Sequence, residues 1–198
     1  MDQKKVWNSI APEWHEFKTK PAHHVIEFLK KQKGKILDLG SGSGRHLQKI
    51  KNGQMYLVDF SKKMVELAKE KSKKEKIPAE FFVEESNKLS FENNFFDSAI
   101  CISALHCIES KTQREQSIKE LHRVLKPKSK ALIGVWNKKS KRFKNAQKEK
   151  FVNWRDKGKR FYYLYDEKEI HDLFKKNKFK ILESLNSEMM INFIVEKN

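Results

Sequence analysis

Cysteine is almost missing from this 198-residue sequence: Cys101 and Cys107 are the two, and they do not form a CxxC pair. A zinc site within the chain is therefore not expected. Both thiols fall in or just after an apolar run, where a buried free cysteine is the ordinary outcome. No run of about 18 apolar residues occurs, so no transmembrane helix is expected. The opening MDQKKVWNSIAPEW lacks the apolar core of a signal peptide, which makes a cytoplasmic location the expectation. Acidic residues are in short supply, 26 against 43 Lys plus Arg, leaving a formal net charge of +17. That excess points to a polyanionic partner, nucleic acid first, although a Lys-rich chain can also reflect compositional habit. No internal repeat is visible, and the length suits one compact domain.

What is present is an alternation of strand and helix patterns. Residues 3–16 read as a short amphipathic helix, and Pro21 opens a second over roughly 22–32. Lys35–Leu39 is the first strand; it runs into Gly40-Ser41-Gly42-Ser43-Gly44, after which a helix is expected through Ile50. Strands follow at 55–59, 80–84, 96–103 and 130–136, with a helix capped by Ser61 after the second and another at 113–125 before Pro127. Asp166 caps a helix to about Lys176, and residues 179–184 and 191–196 close the chain as an antiparallel pair. The fold class is thus α/β: a doubly wound, seven-stranded, mostly parallel sheet with its last strand antiparallel. Four parts are expected within the single domain. They are N-terminal helices forming a lid (1–33), a cofactor-binding core (34–137), a basic aromatic insertion (138–165), and a C-terminal helix with the strand pair (166–198).

In such a sheet ligands bind beyond the carboxyl ends of the strands, where Gly40, Gly42 and Gly44 let backbone approach a ligand closely. Arg45 stands where a dinucleotide fingerprint has its third glycine, and a P-loop lysine is absent. Asp38, Asp59 and Glu85 end three successive strands. Each alone reads as a solvated strand end. Together they suit a ligand with ribose hydroxyls, an adenine amine, an ammonium and a sulfonium, with Asp59 gripping the ribose. The blocks ILDLGSGSG, YLVDFS, FDSAICISALHCI and ELHRVLKPKSKALI, covering about residues 35 to 136, resemble the ordered motifs of class I S-adenosylmethionine-dependent methyltransferases. That resemblance implies S-adenosylmethionine as cofactor and S-adenosylhomocysteine as product. It places Gly40, Gly42 and Gly44 at the methionine and ribose, and Asp59, Phe60 and Ser61 around the ribose. Glu85 and Ser86 fall at the adenine, and Ser103 and Ala104 under the methyl-bearing sulfur. Lys128-Ser129 replaces the usual Gly-Gly after Pro127, a change in a turn.

A narrower resemblance lies outside those motifs. ISALH at 102–106, TQRE at 112–115, Val135-Trp136, FVNW at 151–154 and RFYYLY at 160–165 are similar to the eukaryotic tRNA wobble-uridine carboxymethyl methyltransferases. The methyltransferase domain of the related AlkB-type fusion protein shares the likeness. Where that family often has an arginine just before the proline matching Pro21, this chain has Lys18 and Lys20, which cannot make a bidentate fork. His106 reads either as a strand-end cap or as the rim of an acceptor site. Trp136 reads either as core or as a stacking surface, with Asn137 facing the same crevice. Tyr162 and Tyr163 point to opposite faces of an extended segment, so at most one lines a site. From Lys138 to Arg160 there are eleven Lys or Arg and two Asp or Glu, with Phe143, Phe151 and Trp154 interleaved. This pattern suits phosphate and unpaired bases, the alternative being a solvated Lys-rich loop.

The acceptor expected is the carboxylate of 5-carboxymethyluridine in tRNA, which is ionised at neutral pH and needs no general base. The sequence shows no acid/base pair suited to a difficult acceptor, and no NPPY-like amine-methylating motif after Ser103. His106, Arg160, Trp136 and Tyr163 are the candidates around the reacting group. Lys18, Lys20, Asn137, Lys138, Lys139, Lys141, Arg142, Trp154 and Tyr162 are the candidates for RNA. Two rival readings stay open: a small-molecule methyltransferase, and an RNA-interaction protein that binds cofactor without catalysis. The resemblance also implies a small zinc-binding activator protein, placed along the third strand with its apolar Phe81, Phe82 and Val83.

Overall fold

A computed structural model describes residues 2–185 and 187–198. Five strands run parallel: β1 (Lys33–Leu39), β2 (Lys51–Asp59), β3 (Ala79–Val83), β4 (Phe96–Ile102) and β5 (Leu125–Trp136). The hairpin partners β8 (Phe179–Ser184) and β9 (Met190–Lys197) extend the sheet, with β9 antiparallel to both β5 and β8. The order is β3-β2-β1-β4-β5-β9-β8, so the winding reverses between β1 and β4, and the crevice opens above that point. The doubly wound, seven-stranded class expected from the alternation is the one observed.

Burial explains the central strands. Every residue of β4 except Asp97 is buried, as a strand covered on both faces requires. One face carries α4 (Lys111–Val124) and α5 (Glu167–Lys176), which pack Ile118, Leu121, Ile170 and Phe174 onto Leu37, Ala99, Ile133 and Phe193. The other carries α2 (His23–Lys30) and α3 (Lys62–Glu75), through Val25, Phe28, Leu29 and Ala68. α1 (Gln3–Phe17) starts at Asp2, whose carboxylate accepts the amides of Lys4 and Lys5. Its Val6, Trp7, Ile10 and Ala11 form a third apolar cluster with Met64 of α3.

One expectation fails. No helix follows Gly44. Gly40, Gly42 and Gly44 all take positive φ, and residues 42–46 form successive turns, with Gly44 N–H on Ser41 O and Leu47 N–H on Gly44 O. β2 then begins at Lys51, four residues earlier than its apolar run, so too few residues remain for a helix. Within the basic stretch, β6 (Glu149–Asn153) and β7 (Lys159–Tyr163) form an antiparallel hairpin with their own two-stranded sheet. The hairpin packs on α1, where Gln3 accepts from Phe161 N–H and donates to Lys159 O. The described residues contain no helix long and apolar enough to cross a membrane, and no cluster of three potential metal ligands.

Candidate active site

A cleft of about 780 Å³ lies over the carboxyl ends of β1, β2 and β4, roofed by α1 and the β6–β7 hairpin. Its floor is the glycine turn. A Cβ on Gly40 would stand 2.2 Å from the Cβ of Ala104, so close approach of the β1 and β4 ends demands glycine there. A Cβ on Gly42 would meet nothing within 4 Å and would project into open space where the residue lines the cleft. Gly44 does something else: its bare face packs against Ala68 of α3, and it does not line the cleft.

Asp59 sits at the end of β2, buried, with Oδ2 accepting from Gly42 N–H (2.8 Å) and Oδ1 from Ser61 N–H (2.9 Å). Each oxygen keeps a further lone pair for a ligand hydroxyl. Burial pushes its carboxyl up to about 6, against the pull of those two amides. Asp38 lies beneath the cleft rather than on its surface, and its Oδ2 has no partner. Burial, with the charge of Asp59 added, pushes it up to about 8. Ser61, expected at the cofactor, is fully buried. Its hydroxyl donates to Asn8 and accepts from Met64 N–H as the cap of α3, so its effect on the site passes through Asp59. Phe60, Glu85, Ser86, Ser103 and Ala104 all line the cleft. Ser103 turns the chain with φ +61°, held by its N–H on Gly134 O. Ser86 shares a hydrogen bond with Ser117 of α4 (2.8 Å).

At the other end, aromatic rings enclose a cation. His106 is buried in a 3-10 turn (Leu105–Cys107), and its Nδ1 accepts from Trp136 N–H (3.1 Å). Burial drives its imidazole down to about 3, so it is neutral. Trp136 stacks between His106 (5.2 Å), Tyr162 (4.0 Å) and Phe143 (4.8 Å). Arg160 is 6% exposed. One guanidinium N–H₂ donates to the Tyr162 hydroxyl, its Nε has no partner, and among the described residues it makes no ion pair. Its guanidinium carbon lies 4.7 Å from the Trp154 ring, 5.2 Å from Trp14 and Tyr162, and 5.9 Å from Trp7. Lys18 and Arg142 line the same mouth. Burial, then Arg45, Arg142 and Arg160, pushes the Lys18 ammonium down.

Several expected residues lie elsewhere. Tyr163 faces the opposite side of β7, with its hydroxyl on Glu169 and its ring under Arg114 (4.1 Å); of the tyrosine pair, Tyr162 lines the cleft. Alternation along β7 forces that choice. Asn137 turns its side chain onto Lys139 N–H, away from the cleft. Lys20 is exposed outside it, contributing a carbonyl to Arg45 Nε (2.6 Å). Lys138 donates to Lys144 O, Lys139 is exposed on the loop, and Lys141 faces Glu188 at 3.9 Å. Phe143 is buried against Trp136 rather than presented to solvent. Sequence reading missed Trp7, Trp14, Arg45, His24 and His46, which also line the cleft. The spacing of Trp7 and Trp14, two turns apart on one helix face, was the available signal.

Comparison with known proteins fits this geometry. Residues 37–133 match the family described as a methyltransferase domain. The chain carries a methyltransferase domain. It is 31% identical over 153 residues to human "Probable tRNA methyltransferase 9B", covering 75% of this chain and 32% of that protein. It is 29% identical over 134 residues to the Arabidopsis thaliana "tRNA (carboxymethyluridine(34)-5-O)-methyltransferase", covering 67% of this chain and 32% of that protein. The chain therefore spans about a third of the length of these relatives. A SAM-dependent methyltransferase from Methanosarcina mazei shares the fold with a TM-score of 0.73 at 22% identity, over 89% of this chain and 98% of that one. One from Aquifex aeolicus gives 0.73 at 18%, over 96% and 98%. Family and fold imply S-adenosylmethionine as cofactor, and the residues present fit it. The methyltransferase domain offers an open cradle at Gly42, free lone pairs on Asp59, and a buried Asp38–Asp59 pair to which a cationic cofactor would bring the missing counter-charge.

Proposed function

We propose that this chain is an S-adenosylmethionine-dependent tRNA methyltransferase that esterifies the carboxylate of 5-carboxymethyluridine at the wobble position. Arg160 carries the reading. A buried guanidinium without a counter-ion is costly, and here it faces the acceptor end of the cleft with an unsatisfied Nε. A substrate carboxylate would pair with it through charge-assisted hydrogen bonds. The printed names of the human and Arabidopsis relatives support tRNA, and the Arabidopsis name supports the carboxymethylated base.

When bound, S-adenosylmethionine supplies an activated methyl group on a cationic sulfur. Gly40, Gly42 and Asp59 would hold it, with Glu85 and Ser86 toward the adenine. Arg160, with Lys18 beside it, binds and orients the acceptor carboxylate; Trp136 and Tyr162 cover it and exclude water. Alignment is then the chief contribution of the protein. No proton has to leave an ionised carboxylate, and the cleft matches that need. The lone pair of His106 Nδ1 is taken by Trp136 N–H, and burial raises the Cys107 thiol and the Tyr162 phenol, so neither is a ready base.

The decisive experiment adds labelled cofactor to two tRNA preparations, one with carboxymethyluridine and one with plain uridine at the wobble site. The expected result is an alkali-labile ester on the first only, read by nucleoside mass spectrometry. Label on a base carbon or ribose oxygen, or on a small metabolite instead, sinks the reading. Arg160→Gln should lower kcat/KM for tRNA by about 100-fold or more, the effect expected when a buried charge-assisted hydrogen bond is removed. Its melting temperature should stay near that of the parent, because weaker attraction to the surrounding rings is offset by removal of an unpaired charge.

The zinc-binding activator belongs to the same proposal. β3 is an edge strand with Val83 47% exposed, and the activator would pair along it next to Glu85. Full solubility and turnover of the isolated chain would remove the need for it.

A further inference from the structure

The aromatic wall around Arg160 has a second side. Phe17, the last residue of α1, is 65% exposed, yet its ring sits 5.8 Å from Trp154 and 6.3 Å from Trp14. Beyond it lies a shallower pocket of about 290 Å³, lined by Glu13, Phe17, Asn153, Trp154 and Arg155. Phe17 and Trp154 line both cavities, so the second pocket is one wall of rings away from Arg160.

We propose that this second pocket is a stacking shelf for the unpaired nucleobase that neighbours the acceptor nucleotide in the RNA chain. The inference rests on the tRNA reading above and deepens it. The shelf is prebuilt: Trp154 Nε1 donates to Glu13 (2.8 Å), and Trp14 braces the indole at 5.5 Å. A ring already held in place loses little freedom when a base stacks on it. The charge around it suits a polyanion. The one carboxylate in the pocket, Glu13, is held by both Arg155 (3.0 Å) and Lys157 (2.5 Å), leaving cations in excess. Lys18 adds an ammonium 4.9 Å from the Phe17 ring centre. Together they place positive charge beside the rings, where the flanking phosphates of a stacked base would run. Asn153 is exposed at the rim and brings an amide, which can both donate to and accept from a base edge. An apolar peptide partner would make no use of this ring of cations.

The test measures binding of an unmodified anticodon stem-loop, so it needs no methyl transfer. The fluorescent base 2-aminopurine is placed in turn on each side of the wobble nucleotide, and a matching RNA is made abasic there. Wild-type protein should quench one of the two labelled positions. Phe17→Ala should abolish that quenching and weaken binding of the intact loop by about 5- to 100-fold, the usual effect of removing one stacking ring. On the RNA abasic at that position the two proteins should bind alike. Phe17→Leu, which keeps apolar bulk without a ring, should behave like the alanine variant. Equal affinity of wild type and Phe17→Ala for the intact loop overturns the shelf, as does an equal weakening on intact and abasic RNA. Quenching without methylation of carboxymethylated tRNA keeps the shelf and sinks the acceptor; methylation without quenching does the reverse.

Discussion

Asp59 and Asp38 play different parts although both stand at strand ends. Asp59 is tied to two backbone amides and still has lone pairs to offer, so Asp59→Ala should weaken S-adenosylmethionine binding by roughly 10- to 100-fold, through removal of two charge-assisted hydrogen bonds. Calorimetry with unchanged affinity would refute its place at the ribose. Asp38 has an unpartnered oxygen and a carboxyl pushed up to about 8 by burial and by Asp59. In the unfolded chain it titrates near 4. Between those values the folded protein holds a proton that the unfolded chain lacks, so this group's contribution to stability falls as pH rises and is lost above about 8. The buried His46 and His106, driven down to about 3, act in the opposite sense, but only below about 6.5, where unfolded histidines protonate. From pH 6.5 to 8 Asp38 therefore acts with little opposition. Cofactor-free protein should lose up to about 1 kcal/mol of stability per pH unit there, and Asp38→Asn should flatten the slope in thermal melts. Bound cofactor, bringing positive charge, should flatten it too. The acidic strand ends were legible because their spacing follows the strands. That Arg160 lacks a counter-ion among the described residues was not, since an ion pair is made or missed in space.

The α1 helix and the β6–β7 hairpin form a unit that no local pattern announced. Hairpin strands need a partner to be read as strands, and this pair is interrupted by polar residues and by the Arg155–Gly158 turn, whose Trp154 and Gly158 close it with a backbone hydrogen bond. What binds the hairpin to α1 is the Trp7–Trp14–Trp154 cluster together with Gln3 and Glu13. Trp14→Ala should thus loosen residues 149–163 as a block, raising their hydrogen-exchange rates. On the proposed function it should raise KM for tRNA by about 5- to 30-fold while cofactor affinity stays within about twofold, because aromatic packing worth about 1–2 kcal/mol is removed at the acceptor end alone. Exchange rates across the hairpin that match those of the parent would contradict this coupling. The missing helix after Gly44 has the reverse lesson. Helical patterning was read where three glycines with positive φ instead commit the chain to turns.

Across the whole molecule the excess of 17 positive charges is distributed unevenly in effect. Lys148, Arg155 and Lys157 are paired with carboxylates, whereas Arg142 and Lys18 reach the cleft mouth and Lys139 stays exposed on the loop beside it. Replacing Lys138, Lys139, Lys141 and Arg142 with Gln should weaken tRNA binding and flatten its salt dependence by about 0.7 to 0.9 in log–log slope for each phosphate no longer neutralised. An unchanged slope would show that RNA approaches from another face. Order along the chain determined the sheet, because alternating βα patterns with right-handed crossovers leave few arrangements for five successive strands. It determined the glycine turn and the acidic strand ends for the same reason: those features are local, and the fold brings local strand ends to one edge. Tertiary structure alone decided that Arg160 is buried without a counter-ion among the described residues, which tyrosine of Tyr162 and Tyr163 faces the cleft, and that Phe17 and Trp154 form one wall between two pockets. Each of those depends on the docking of α1 against a hairpin far along the chain, with 141 positions separating Glu13 from Trp154, and that docking is set by packing rather than by any neighbouring residue.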